Sequence, residues 1–261
     1  MSIIFITGST QGLGRATAEH LIAQGHQVVL HARSTERLAS IADLQPKAFD
    51  VVVGDLNEIS GIYQVAEQVN KIGQMNAVIL NAGVYASEMS LNADGYSSTF
   101  MVNTLAPYLL TALIQQPERL VYLSSSMHYD GKASLQDMEW KLRRWNSSAA
   151  YSDSKLFVTT LAMAVARKWP NVLSHAVDPG WVPTRMGGAN APDDLDMGHL
   201  TQSWLAVAEA SEIGNNGGYW HHLQRQQPHR AASDVQFQES LMEKLAQLTG
   251  VIFPFPSTAI T

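Results

Sequence analysis

Six short apolar runs punctuate the chain at about 2–7, 27–31, 48–53, 76–80, 119–124 and 172–177, and between them apolar residues recur with helical spacing. Runs that are continuous rather than alternating, and rich in Ile, Val and Leu, predict strands buried on both faces. The segments between them predict helices, which makes the connections right-handed crossovers and the sheet parallel. A seventh run, Gly218 to His222, would complete the sheet, with its histidines making it less apolar than the others. The expected architecture is α/β: a doubly wound Rossmann fold around a central, mostly parallel seven-stranded sheet, in one domain spanning 1–261. Two stretches, 127–150 and 181–217, leave this pattern. Both depart from the carboxyl ends of predicted strands, where open α/β sheets bind ligands, so both are expected to shape a substrate pocket.

The first run leads straight into Thr7-Gly8-Ser9-Thr10-Gln11-Gly12-Leu13-Gly14, and a helix follows with Ala16, Ala18, Leu21 and Ile22 at its apolar positions. Strand, glycine turn and helix in that order predict a dinucleotide-phosphate site. Gly8 permits the tight turn, Gly12 lets backbone approach the pyrophosphate, and Gly14 allows the helix to pack closely on the sheet. The helix N-terminus then faces the phosphate charge. Cofactor contacts are expected along Gly8, Ser9, Gln11, Gly12, Leu13 and Gly14. The second strand ends Val28-Val29-Leu30-His31-Ala32-Arg33, with no carboxylate to accept from a ribose 2′-hydroxyl. Arg33 there is suited to a 2′-phosphate, which favours NADP(H), and Arg37 one helical turn on could share the task.

Tyr151 and Lys155 lie four apart in a segment that reads as helix, which places phenol and ammonium on one face. A nearby ammonium favours phenolate, so the tyrosine is expected to titrate below its ordinary range of about 10 and to serve as a general acid/base.

The spacing T-G-x-x-x-G-x-G with a downstream Y-x-x-x-K resembles the short-chain dehydrogenase/reductase family, and the resemblance covers nearly the whole chain. Further landmarks stand in order: Asn81-Ala82-Gly83 after a strand, Asn103 in Val102-Asn103-Thr104, Ser124-Ser125 closing another strand, and Pro179-Gly180 after a third. Ser124-Ser125-Ser126-Met127-His128 and Gly218-Tyr219-Trp220 are most similar to the retinol dehydrogenase-like branch. The resemblance implies hydride transfer between nicotinamide and a carbonyl or alcohol carbon. Tyr151 would move the proton, Lys155 would also bind the nicotinamide ribose, and Ser125 would hold the substrate oxygen. Asn103 would link Lys155 to solvent through a water, unless it marks only a helix kink. It implies further that Asp55 and Leu56 contact the adenine, that Asn81, Ala82 and Gly83 hold backbone near the adenosine ribose, and that Val182 and Thr184, after Pro179 and Gly180, contact the carboxamide. A homodimer or homotetramer through the helices following Asn103 and Tyr151 is also implied.

Composition narrows the picture. The 261 residues are 46% apolar and 15% charged, enough for a large core, and none is cysteine, which excludes disulfides and thiolate chemistry. A formal charge of −6 argues against nucleic-acid binding. No run approaches the ~20 apolar residues of a membrane span, and the N-terminal run is too short for a signal sequence, so a cytoplasmic protein is expected. No metal is expected: His128, His221 and His222 lack ligand spacing, and adjacent histidines on a strand should point to opposite faces. Trp140 to Trp145 reads as a solvated flap over the pocket, and the apolar tail Val251 to Pro256 as a segment that packs on its own domain or on a second subunit. The sequence thus points to an NADP(H)-dependent reductase or dehydrogenase acting on a fairly apolar small molecule. A non-catalytic NADP(H) sensor is the alternative, and it would have no need of Ser125, Tyr151 and Lys155 together.

Overall fold

A computed structural model describes residues 1–254. Strand β1 (Ile3–Ile6) leads through the glycine turn into α1 (Gly12–Ala23), followed by β2 (Gln27–Ala32), β3 (Asp50–Val53), α2 (Ile59–Ile72) and β4 (Ala77–Leu80). Next come a short α3 (Ser98–Phe100), a π-helical turn (Met101–Leu105), α4 (Ala106–Leu113) and β5 (Arg119–Leu123). The second half holds α5 (Ser147–Lys168), β6 (Leu173–Asp178), α6 (Leu195–Val207), α7 (Ala210–Ile213), β7 (Gly218–His221), β8 (Gln224–Gln226) and α8 (Val235–Thr249).

The sheet order is β3-β2-β1-β4-β5-β6-β7-β8, with every pair parallel except β7 with β8. Alternation along the strands feeds two separate cores. Phe5, Val29, Val78 and Tyr122 join the cluster that holds α2, α4, α5 and α8, while Ile4, Ile6, Val28, Ile79 and Val121 join the cluster under α1 and α6. Strand order reverses between β1 and β4, so the loops leaving their carboxyl ends diverge and open a crevice.

Beyond the seven parallel strands expected, Gln224–Gln226 adds a short antiparallel edge. The hairpin turns on His222 and Leu223, both at positive φ (45° and 63°), as a two-residue primed turn requires. Leaving the strand at His222 also brings its ring onto that of His221, with centroids 3.9 Å apart, so the two histidines stack instead of facing opposite ways.

One other expectation is revised, and one that left two alternatives is resolved. The segment Trp140 to Trp145 is pinned in place and not a free flap: Trp140 is buried, while Lys141, Leu142 and Arg144 stay exposed. Asp137 accepts from the backbone N–H groups of Lys141, Leu142 and Arg143. The Arg143 guanidinium lies over the Trp140 ring at 3.6 Å and donates to Asp153 of α5 at 2.8 Å. Trp140 is consequently buried. The tail packs on its own domain: Phe253 lies against Trp169 and Tyr108, the Trp169 indole N–H donates to the Pro254 carbonyl, and the Tyr108 hydroxyl donates to the Val251 carbonyl. Phe255 and Pro256 lie outside the described residues.

Helix α5 is buried along every residue from 150 to 165, because the sheet covers one side and α8 the other. Met101 to Thr111 are buried as well. Among the described residues no helix is long and apolar enough to cross a membrane.

Candidate active site

The crevice is a cavity of ≈820 Å³, and every site residue expected from the sequence except Ser9, Asn103 and the auxiliary Arg37 lines it.

At its centre, Gly8 (φ 65°) turns the chain so tightly against the neighbouring loop that a β-carbon there would lie 3.1 Å from the Ala82 Cα. That contact is held by two hydrogen bonds, Asn81 Nδ2 to the Thr7 carbonyl and Ala82 N–H to Thr7 Oγ1, each 2.9 Å. A side chain at Gly14 would collide with the Gly8 carbonyl, which is why helix and turn can lie so close. Gln11 precedes α1 in extended conformation and no side chain caps the helix. The first N–H groups of α1 therefore lack the partner that a capping hydroxyl or carboxylate supplies, which suits an anion. Ser9 turns away from the cavity, its hydroxyl accepting from the His31 N–H at 2.7 Å.

At one end stand Arg33, Asp55 and the buried Leu56. Arg33 Nε is 3.3 Å from Asp55 Oδ2, and with its side chain 72% exposed the guanidinium remains open to a further anion.

At the other end are Ser125, Tyr151 and Lys155. Ser125 follows β5 by two residues and caps the next 3-10 turn through its hydroxyl, which accepts from the Met127 N–H. Tyr151 and Lys155 project from α5, with Lys155 Nζ 5.4 Å from the Tyr151 ring centroid and donating to the Leu123 carbonyl at 2.7 Å. Burial decides both titrations. It raises the Tyr151 phenol above its ordinary range, against a lowering hydrogen bond from Ser125, and it pushes the Lys155 ammonium down to about 8. The expectation that Lys155 would bring the phenol down is therefore not met by this geometry: burial is the largest influence on Tyr151, and the one opposing it is Ser125.

Asn103 sits within the π-helical turn, buried behind the cavity wall. Its amide accepts from the Val84 N–H at 2.8 Å and donates to the Val84 carbonyl at 2.9 Å and to Ser154 Oγ at 3.0 Å. It thereby fixes the strand end after Gly83 against α5. A β-carbon at Gly83 would lie 3.5 Å from both Asn103 Oδ1 and Lys155 Nζ.

A strap after β6 crosses the cavity. Gly180 (φ 82°) donates to Asp178 Oδ1, the Trp181 N–H donates to Asp193 Oδ2, Val182 is buried, and the Thr184 methyl lies over Gly12. Among the further residues that line the cavity and that no spacing pointed to are Thr10, His31, Tyr85, Arg185 and Met186. The Tyr85 ring is 5.2 Å from the Tyr151 ring, and Met186 Sδ lies 3.9 Å from the Tyr151 hydroxyl. From the stretch 127–150, Met127 alone reaches the cavity. Among the described residues no group of three or more His, Asp or Glu side chains is placed to hold a metal ion.

Comparison with known proteins agrees with the geometry. The sequence profile of the short chain dehydrogenase family matches residues 2–120. The short-chain dehydrogenase chry4 of Gibberella zeae is 35% identical over 98% of this chain and 100% of its own length. At lower identity, 27% over 96% of this chain and 85% of the relative, stands retinol dehydrogenase 13 of Homo sapiens. A crystal structure of an uncharacterized protein from Mycobacterium Paratuberculosis superposes with a TM-score of 0.83 at 26% identity, covering 98% of this chain and 96% of that one. With the glycine turn, the Tyr151–Lys155 pair and full-length similarity in agreement, the chain belongs to the short-chain dehydrogenase family of oxidoreductases.

Proposed function

We propose that this protein is an NADP(H)-dependent carbonyl reductase or alcohol dehydrogenase acting on a fairly apolar small molecule. The observation that carries this reading is that one cavity holds Arg33 at one end and Ser125, Tyr151 and Lys155 at the other. The residues present fit the dinucleotide: an uncapped helix N-terminus for the pyrophosphate, Gly8 and Gly12 presenting bare backbone, and Arg33 for the 2′-phosphate. When bound, the nicotinamide supplies or takes the hydride. The chain's own part is to place the substrate oxygen and move its proton. Ser125 holds the oxygen by hydrogen bond and the Tyr151 hydroxyl donates to it. With its titration raised by burial, Tyr151 holds its proton at neutral pH, which is the form that reduction of a carbonyl uses. Lys155 supports the charge that develops on the tyrosine oxygen, and Asn103 holds the loop at Gly83 and Val84 against α5. Tyr85, Met186 and the exposed Trp181 give the mouth an apolar rim suited to such a substrate.

The test is a titration with NADPH and with NADH, then absorbance of the reduced nicotinamide against aldehydes, ketones and quinones. Turnover with NADPH is expected; tight NADPH binding without turnover on any of them would favour the sensor instead. Arg33→Ala should weaken NADPH by about tenfold or more and leave NADH nearly unchanged, because a charge-assisted hydrogen bond contributes ~1.5–3 kcal/mol. Equal losses for both nucleotides would place the 2′-phosphate elsewhere.

The packing of these helices bears on assembly. The resemblance implies pairing through α4 and α5, yet α5 is covered by α8, and the tail lies across Tyr108 of α4 and Trp169 at the end of α5. Among the described residues these two helices expose no large apolar side chain, which favours a monomer. Light scattering after gel filtration should give a mass near 28.6 kDa. Twice or four times that mass would restore the paired arrangement.

A further inference from the structure

His31 is the penultimate residue of β2, after the aliphatic Val28-Val29-Leu30, and it is 3% exposed. Its imidazole is fully engaged. Nδ1 accepts from the Gly8 N–H at 2.9 Å and Nε2 donates to the Gly54 carbonyl at 2.9 Å. Its backbone adds two more links to the glycine turn, donating to Ser9 Oγ at 2.7 Å and accepting from the Ser9 N–H at 3.3 Å. Burial pushes this imidazole down to about 4, so at neutral pH it carries one proton, and the acceptor role of Nδ1 puts that proton on Nε2.

The two groups that the ring joins open the two walls of the adenosine end. Gly8 begins the phosphate turn, and Gly54 immediately precedes Asp55, the partner of Arg33. Neither Gly8 nor Gly54 has a side chain with which to fix itself. Loop segments that carry a ligand site without local anchors lose conformational freedom on binding, and that loss weakens affinity. A rigid planar ring spanning both removes that freedom in advance. It also commits the Gly8 N–H to protein, which leaves pyrophosphate recognition to the N–H groups that open α1.

We propose that His31 is a positioning residue for the dinucleotide, a neutral imidazole that ties the phosphate turn to the Gly54–Asp55 wall and so sets cofactor affinity without touching the reacting atoms. The inference rests on the NADP(H) reading above.

The experiment compares the full chain with His31→Leu, which fills the space without either hydrogen bond, and His31→Asn, whose Oδ1 can stand where Nδ1 stands. NADPH is titrated by quenching of tryptophan fluorescence, and steady-state kinetics are run with a substrate from the carbonyl panel. His31→Leu should raise the NADPH Kd and the KM for NADPH in parallel, by about tenfold for a buried hydrogen bond lost, while kcat at saturating NADPH stays within about twofold. His31→Asn should recover most of that affinity. A role in stability alone would lower Tm and leave Kd unchanged, or lower kcat as much as affinity, with no rescue by asparagine, and either result overturns the proposal. Should His31→Leu fail to fold, His31→Asn is set against His31→Gln, which reaches Gly54 and not Gly8. Asparagine must then bind NADPH more tightly, and equal affinities overturn the proposal. Wild-type protein that binds neither nucleotide removes the cofactor reading and this inference together, whereas normal binding by wild type and His31→Leu alike removes this inference only.

Discussion

Tyr151→Phe should lower kcat for carbonyl reduction by about 10²- to 10⁴-fold, the range that a positioned general acid contributes. NADPH affinity should stay close to wild type, because the hydroxyl's neighbours are the Met186 thioether and Ser125, and neither belongs to the phosphate or adenosine contacts. The ring itself is buried, and phenylalanine preserves its shape, so Tm should move little. The comparison needs kcat, the NADPH Kd and a melting curve on the same preparation. Turnover persisting at a tenth of wild type or more would mean that another group delivers the proton, and the assignment of Tyr151 would fall.

Lys155→Met should act in two opposite directions, abolishing most turnover while stabilising the fold. Burial holds the ammonium at about 8 against an ordinary 10.5. Between those values the unfolded chain binds more protons than the folded one, so wild-type stability rises with pH across that window, and below about pH 8 the fold bears the whole penalty of a buried charge. Methionine removes the penalty and also the bond to the Leu123 carbonyl. The net gain at pH 7 is on the order of 2 kcal/mol. It should shrink as pH approaches 10, where lysine in the folded protein is already neutral. Chemical denaturation of both proteins at pH 7 and pH 10 reads this directly. A difference that does not change with pH, or a variant less stable than wild type at pH 7, would show that the ammonium is compensated within the fold.

How far the sequence could be read depended on where the physical information lay. Strands β1, β2, β4, β5 and β6 were legible because they are buried almost throughout, which writes a largely apolar run, and the edge strand β3 was legible from its three valines. The glycine turn was legible because Gly8 and Gly14 answer close backbone approaches that no other residue tolerates. Strand β8 was not, since Gln224, Arg225 and Gln226 are an exposed edge without apolar positions, and the turn before it uses His222 and Leu223 where glycine or asparagine would have announced positive φ. Trp140 looked solvated beside Lys141, Arg143 and Arg144; only the folded chain shows Asp137 gathering the loop and Arg143 covering the indole. The Y-x-x-x-K spacing placed Tyr151 and Lys155 on one face but could not reveal that both are desolvated, which reverses the direction expected for the phenol. His31 read as an ordinary strand residue because its partners, Gly8 and Gly54, are backbone groups that meet it only across the sheet.

The continuous burial of α5 ties the fate of the chemistry to the fate of the molecule. In many enzymes catalytic groups sit on the most loosely held segments and lose alignment before the bulk of the protein melts. Here Tyr151 and Lys155 belong to a helix with no exposed residue between 150 and 165, wedged between the sheet and α8. Their alignment cannot relax until that central beam is released. Residual activity after brief heating should therefore follow the same curve as the loss of secondary structure, and selection for resistance to heat inactivation should recover substitutions distributed through the core, with few in the loops that frame the pocket.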